Sequence, residues 1–191
     1  AIVKASKDGT SVNTWATAPP SIEPGGVQAL VQGQDGALYG IGNFGYTSAG
    51  NGANYAQVFR VSSGGSWTQL HGYQEHQITR SIGARPVLIP APDGKLYGIS
   101  TNGGQSSIDD ASGFIFSIDS AGTFKVEFTF RTSTRPQYGT GPVALALGAD
   151  QKLYGVTEQG GWPVSHNFVG GTFFRFTPGG APEVLLVAGP D

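Results

Sequence analysis

The stretch Asp93-Gly94-Lys95-Leu96-Tyr97-Gly98 decides the fold, because its core recurs along the chain. Leu-Tyr-Gly stands at residues 38–40, 96–98 and 153–155, a period of about 57 residues. An aspartate precedes each copy (Asp35, Asp93, Asp150), and further upstream stands a leucine (Leu30, Leu88, Leu145). Downstream, apolar residues alternate at Phe59/Val61, Phe116/Ile118 and Phe174/Phe176, followed by glycines at Gly65, Gly122 and Gly180. One period earlier the same pattern falls on Val3, Ala5 and Gly9. The chain therefore reads as half a repeat followed by three whole ones: residues 1–26, 27–86, 87–142 and 143–191, within a single repeat-array domain.

Each unit resolves into four strands when period-2 alternation is read between turn signals. In the second copy these are about residues 87–91, 95–100, 114–119 and 123–130. The Asp-Gly step between the first two predicts a two-residue turn with both central residues at positive φ. Phe116 and Ile118 alternate with Ile115 and Ser117, so the third strand is expected to pack on both faces. No capped 3.6-period segment is found, and helix should be minimal. Four-stranded units in tandem predict an all-β, β-propeller-like array of antiparallel units. A pseudo-threefold trefoil or prism is the competing fold, but it has no use for the half unit.

Composition narrows the function classes. The 191 residues include 31 glycines and 12 prolines, yet aromatics hold at 11%, which fits a turn-dense β protein better than a disordered chain. The absence of cysteine excludes a disulfide framework, a zinc ribbon and a thiol nucleophile. A net charge of −2 gives no general attraction to nucleic acid, and no apolar run suits membrane insertion.

The combined pattern resembles the GloVer tandem-repeat family of secreted and surface-anchored bacterial proteins. It is carried by Asp93-Gly94-Lys95-Leu96-Tyr97-Gly98, Thr101, Gly103-Gly104 and Gly113-Phe114-Ile115-Phe116. The third copy matches through Leu153-Tyr154-Gly155, Thr157, Gly160-Gly161 and Gly171-Thr172-Phe173-Phe174. The first departs, with Asn43-Phe44-Gly45 at the Gly-Gly step and Ala56-Gln57 before the strand. The resemblance implies a propeller-like fold and an extracellular or cell-surface setting, and it implies no reaction.

The residues themselves favour binding over catalysis. The 3 histidines, His71, His76 and His166, lack metal-binding spacing, and no nucleophile elbow or phosphate loop is present. No cofactor or metal is expected, although the paired Asp109-Asp110 leaves Ca²⁺ open. His71 aligns with Phe128 and Leu186 in later copies and reads as a packing residue. The recurring aspartates read as turn residues bonding nearby amides. The recurring Tyr39, Tyr97 and Tyr154 read as core, with hydroxyls reaching backbone groups.

Function in a repeat array is sought where the copies differ. They differ most in the connections between second and third strands and between successive units, which leave one end of an up-and-down sheet. The opposite end should carry only short glycine turns. The candidate ligand-binding residues are Tyr46, Asn54, Tyr55, His76, Arg80, Asp109, Asp110, Arg131, Arg135, Trp162 and His166, a mixture of rings, amides and charges suited to a glycan or protein ligand. The expectation is a non-enzymatic extracellular binding or assembly module. The alternatives are a polysaccharide-active hydrolase or lyase on a propeller scaffold, and a purely structural surface or filament repeat. Because the repeat pattern begins mid-unit, self-association through incomplete units is also expected.

Overall fold

The computed structural model describes residues 1–18, 23–45, 54–72, 87–101, 111–132, 136–161 and 170–188. Strands β1 (Ile2–Ala5) and β2 (Val12–Ala16) form a hairpin. Three antiparallel meanders follow: β3 (Glu23–Gln32), β4 (Leu38–Gly45), β5 (Asn54–Val61) and β6 (Trp67–Gly72); then β7 (Val87–Pro90), β8 (Leu96–Ser100), β9 (Ala111–Ile118) and β10 (Phe124–Arg131); then β11 (Thr140–Leu147), β12 (Leu153–Gln159), β13 (Thr172–Phe176) and β14 (Glu183–Val187). A single 3₁₀ turn, Pro136–Tyr138, is the only helical element among the described residues. The expected all-β chain of four-stranded antiparallel units behind a two-stranded one is what the structure shows.

The turns differ from the sequence expectation. In the second unit the Gly94 amide donates to the Ala91 carbonyl and the Ala91 amide to the Lys95 carbonyl, which defines a three-residue loop. Only Gly94, at φ 80°, lies in the left-handed region, so a type I turn with a glycine bulge replaces the two-residue turn. Gly36 serves the first unit and Gln151, at φ 63°, the third. In the third unit the left-handed residue of the later turn is Gly179, and Gly180 follows it. In the second unit β9 begins at Ala111, three residues before the alternation implied, and the corresponding strands of the first unit are also long. Asn43–Gly45 extend β4 and Asn54–Tyr55 open β5, with Phe44 directly opposite Tyr55 on the ladder.

A bulge recurs in the last strand of every unit. Val58 and Phe59 pair with His71 and Gln69, leaving out Leu70. Phe116 and Ile115 pair with Val126 and Phe128, leaving out Glu127. Phe173 and Phe174 pair with Leu186 and Val184, leaving out Leu185. In the hairpin, Ile2 and Val3 pair with Ala16 and Thr14, leaving out Trp15. The leading hairpin is thus the second half of the same unit, down to its irregularity. The inserted residue reverses the facing of the strand beyond it: Phe124 and Val126 pack toward the unit before, Phe128 and Phe130 toward the unit after.

The four sheets stack in chain order, each interface formed by the trailing face of one unit on the leading face of the next. Ile2 and Ala16 meet Phe59 and Val61. Tyr39, Ile41 and Val58 meet Leu96, Phe116 and Ile118. Tyr97, Ile99 and Ile115 meet Leu153, Phe174 and Phe176. Ile115 and Phe116 therefore serve different interfaces, as expected for a strand buried on both sides.

The glycine of Leu-Tyr-Gly is dictated by the ring on the neighbouring strand. Gly40 pairs with Phe59, Gly98 with Phe116 and Gly155 with Phe174. A methyl group at any of these glycines would fall inside the facing phenyl ring. At Gly40 the three nearest atoms all belong to Phe59, which is fully buried and stacks on Trp67 at 4.1 Å. Gly40→Ala should therefore destabilise the protein by about 1–3 kcal/mol through overpacking. Phe59→Leu alone should also destabilise it, but the double variant should lose clearly less than the sum. Urea titrations of the four proteins measure that coupling, and additive losses would disprove the seating of ring on glycine.

Candidate functional site

The meander topology puts the turns β3–β4 and β5–β6 at one end of their sheet, and the other connections at the opposite end. The same holds for the next two sheets, and the units share one orientation. At the turn end the Gln34 side-chain amide donates to the Ala91 carbonyl at 2.9 Å, joining equivalent turns of successive units. At the other end the Thr101 hydroxyl donates to the Pro142 carbonyl at 3.1 Å. The long connections of all units are thereby rooted on one side.

Of the eleven residues predicted to bind a ligand, Arg131 is the one whose side chain is described. It ends β10, opposite Ala111 and half-buried, so it belongs to the ladder and not to the connection after it. Asn54 and Tyr55 are placed by backbone at the start of β5, opposite Gly45 and Phe44. Tyr46, His76, Arg80, Asp109, Asp110, Arg135, Trp162 and His166 lie outside the described residues. The strand ends that carry them converge: Gly45 and Asn54, Thr101 and Ala111, and Gly161 and Gly170 stand on the same side as Gly72 and Val87. Among the described residues no group of three His, Asp or Glu side chains is placed to hold a metal ion.

The recurring acids and tyrosines form a motif of their own at the turn end. Each aspartate uses one carboxylate oxygen to accept from an amide of its turn: Asp35 from Ala37, Asp93 from Lys95 and Asp150 from Lys152, at 3.1 to 3.2 Å. The other oxygen accepts the tyrosine hydroxyl four residues on, at 3.0 Å for Tyr39, 2.7 Å for Tyr97 and 2.9 Å for Tyr154. The tyrosine hydroxyls thus reach a side-chain carboxylate where the sequence suggested a backbone group. The signal was present in the constant Asp-to-Tyr spacing. Two of the rings are core as expected, but Tyr154 is only half-buried.

The surroundings of the motif vary. Arg60 closes it in the first unit, donating to Asp35 at 2.8 Å and to the Tyr39 hydroxyl at 3.2 Å. Burial would raise the Asp35 carboxyl, but Arg60, the Ala37 amide and Tyr39 together hold it below its ordinary value. In the second unit Ser117 replaces that arginine and donates to Glu127, the bulge residue, which also pairs with Lys125 at 2.7 Å. The Glu127 side chain is 1% exposed; burial opposes its ionisation, and Lys125 and Ser117 outweigh burial, so its carboxyl stays low. Burial first, and Asp93 second, push the Tyr97 phenol well above its ordinary value. These carboxylates are committed to turns and neighbours, an arrangement that rigidifies the end of each sheet.

The turn end carries the short turns expected of it, and two of them also enclose a space. A cleft of about 300 Å³ lies between the turns of the first and second units, lined by Gln34 and Asp35 from one and by Lys95, Leu96 and Ser120 from the other. Sequence reasoning missed it because each short turn is unremarkable alone, and the cleft exists only between two of them.

His71 lies on β6, half-buried, with its ring stacked on Phe124 of the next unit at 4.2 Å. This is the packing role expected for it. Burial lowers its basicity below the ordinary 6.5. Below that value the unfolded chain binds more protons than the folded one. His71 therefore favours folding fully above pH 6.5, and this contribution is lost as the pH falls through the lowered folded value. Urea midpoints at pH 7.5 and 5.5 should drop less on acidification for His71→Phe than for the parent; equal drops would place the sensitivity elsewhere.

No family model matches this chain, and no curated protein is significantly similar to it.

Proposed function

We propose that this protein is a non-enzymatic binding or assembly module built on a β-propeller-type array, working outside the cell and recognising a glycan or protein with the long-connection end of its sheets. The observation that carries this reading is the common orientation of the units. Sheets in register root every long, copy-specific connection on one side, where residues from different units can meet a single ligand. The stacking of small meanders in chain order, trailing face on leading face, supports the propeller-type arrangement. The resemblance to GloVer repeats supports the extracellular setting. The turn aspartates and Glu127, bound to amides, tyrosines, Arg60 and Lys125, favour binding over acid–base chemistry, which needs a carboxyl group poised toward a substrate.

A glycan array and a reducing-end release assay on the same polysaccharides test this together. Binding without release of reducing ends is the expected result. Release would favour the hydrolase alternative, and neither binding nor release across the array would remove the glycan arm. Trp162→Ala should weaken a detected ligand at least tenfold while shifting stability by no more than about 0.5 kcal/mol, the outcome expected where the scaffold does not use the ring. A loss of several kcal/mol without a change in affinity would place Trp162 in the scaffold.

A further inference from the structure

Every unit carries the same four apolar positions on its trailing face. They are Tyr39, Ile41, Val58 and His71 in the first unit, and Tyr97, Ile99, Ile115 and Phe128 in the second, as fixed by the shared strand pairing and the shared bulge. In both units these residues pack beneath the leading face of the next sheet. In the third unit the set is Tyr154, Val156, Phe173 and Leu186, and nothing in the described chain covers it. Phe173 is 39% exposed and Leu186 63%, with Tyr154 stacked on Phe173 at 5.9 Å.

The opposite end of the stack shows the complementary surface. Leading faces are built on Phe59, Val61 and Trp67, or on Phe116, Ile118 and Phe124, where Val61 pairs with Trp67 and Ile118 with Phe124. The hairpin places Val3, Ala5 and Val12 at those positions, with Ala5 paired to Val12. Its trailing residues Ile2 and Ala16 are buried against the first full unit. Its leading residues are open, with Val3 57% and Val12 62% exposed. Among the described residues, the two apolar faces left open are thus the two halves of a junction formed three times within the chain.

We propose that the chain self-associates head to tail, the trailing face of the third unit of one copy receiving the leading face of the hairpin of a second. The contact continues the register of the internal interfaces, so the occupant is defined by the chain's own repeat. Because the two faces differ, the association is heterologous: each added copy presents a fresh trailing face, and growth stops only on ring closure. A symmetric contact between two trailing faces would bring Phe173 and Leu186 against their own copies and would leave the hairpin face uncovered.

Light scattering on the 191-residue chain over a hundredfold concentration range, with two pairs of variants, tests this. The parent's mass should rise with concentration. Phe173→Glu blocks the trailing face and Val12→Glu the leading face, and each alone should remain a monomer. Mixed in equal amounts, they should form a one-to-one dimer and nothing larger, because one intact face of each survives. Leu186→Lys and Val3→Lys should reproduce the pattern, and unchanged circular dichroism shows that exposed-site variants keep their fold. A parent that stays monomeric throughout, a Val12→Glu protein that still dimerises, or a mixture that yields no dimer each overturns the proposal.

Discussion

A phenyl ring lying across a glycine on the adjacent strand is the contact on which the rest of the structure depends. Phe59, Phe116 and Phe174 are all fully buried, and each occupies the space a side chain would fill at Gly40, Gly98 and Gly155. Seating the ring on the glycine keeps the leading face low enough for the preceding unit to close over it: Ile2 and Ala16 over Phe59, Tyr39 and Ile41 over Phe116, and Tyr97 and Ile99 over Phe174. A residue with a Cβ at that position would lift the ring and part the sheets. The interior is close-packed, so a displacement of that size is felt through the whole interface. The same contact sets the residue types around it. The tyrosine next to the leucine points to the other face, and its hydroxyl needs a partner there, which the turn aspartate provides.

The sheet faces between units and the turn acids are consequently used up by the scaffold. Each meander is too small to hide its own apolar residues, so it buries them against its neighbours. The aspartates hold their turns and their tyrosines; Arg60 and Glu127 adapt the same corner in different units. What the scaffold leaves to variation is the end that carries the long connections, together with the cleft between successive turns. On the proposed function, recognition would depend on which side chains those connections bring, and the rigid ends of the sheets fix where they start.

Much of this was legible in the sequence because repetition removes noise. One Leu-Tyr-Gly is weak, but three with a shared aspartate and a shared Phe-x-apolar strand located all four strands of the second unit to within about three residues. Alternation correctly assigned Phe116 and Ile115 to opposite faces. The bulges at Trp15, Leu70, Glu127 and Leu185 were not legible, since they occupy the same place in every copy but carry an indole, two leucines and a carboxylate, with no residue type common to all four. The turn geometry was misjudged because Asp-Gly serves both two- and three-residue loops, and only the hydrogen bonds around Ala91 separate them. The half-burial of Tyr154 is a matter of position: it has the sequence of a core tyrosine and no sheet above it. The cleft beside Lys95 needs two units in place and has no local signature.

Native-state hydrogen exchange tests the stacked, ring-on-glycine architecture most directly. Amides in β4, β5, β8 and β9, which lie in sheets covered on both faces, should exchange only through global unfolding. Those of β14 and the β1–β2 hairpin, at the ends of the stack, should open at lower free energy. Uniform protection across the units, or strongest protection in β14 with weak protection in β8 and β9, would contradict the account.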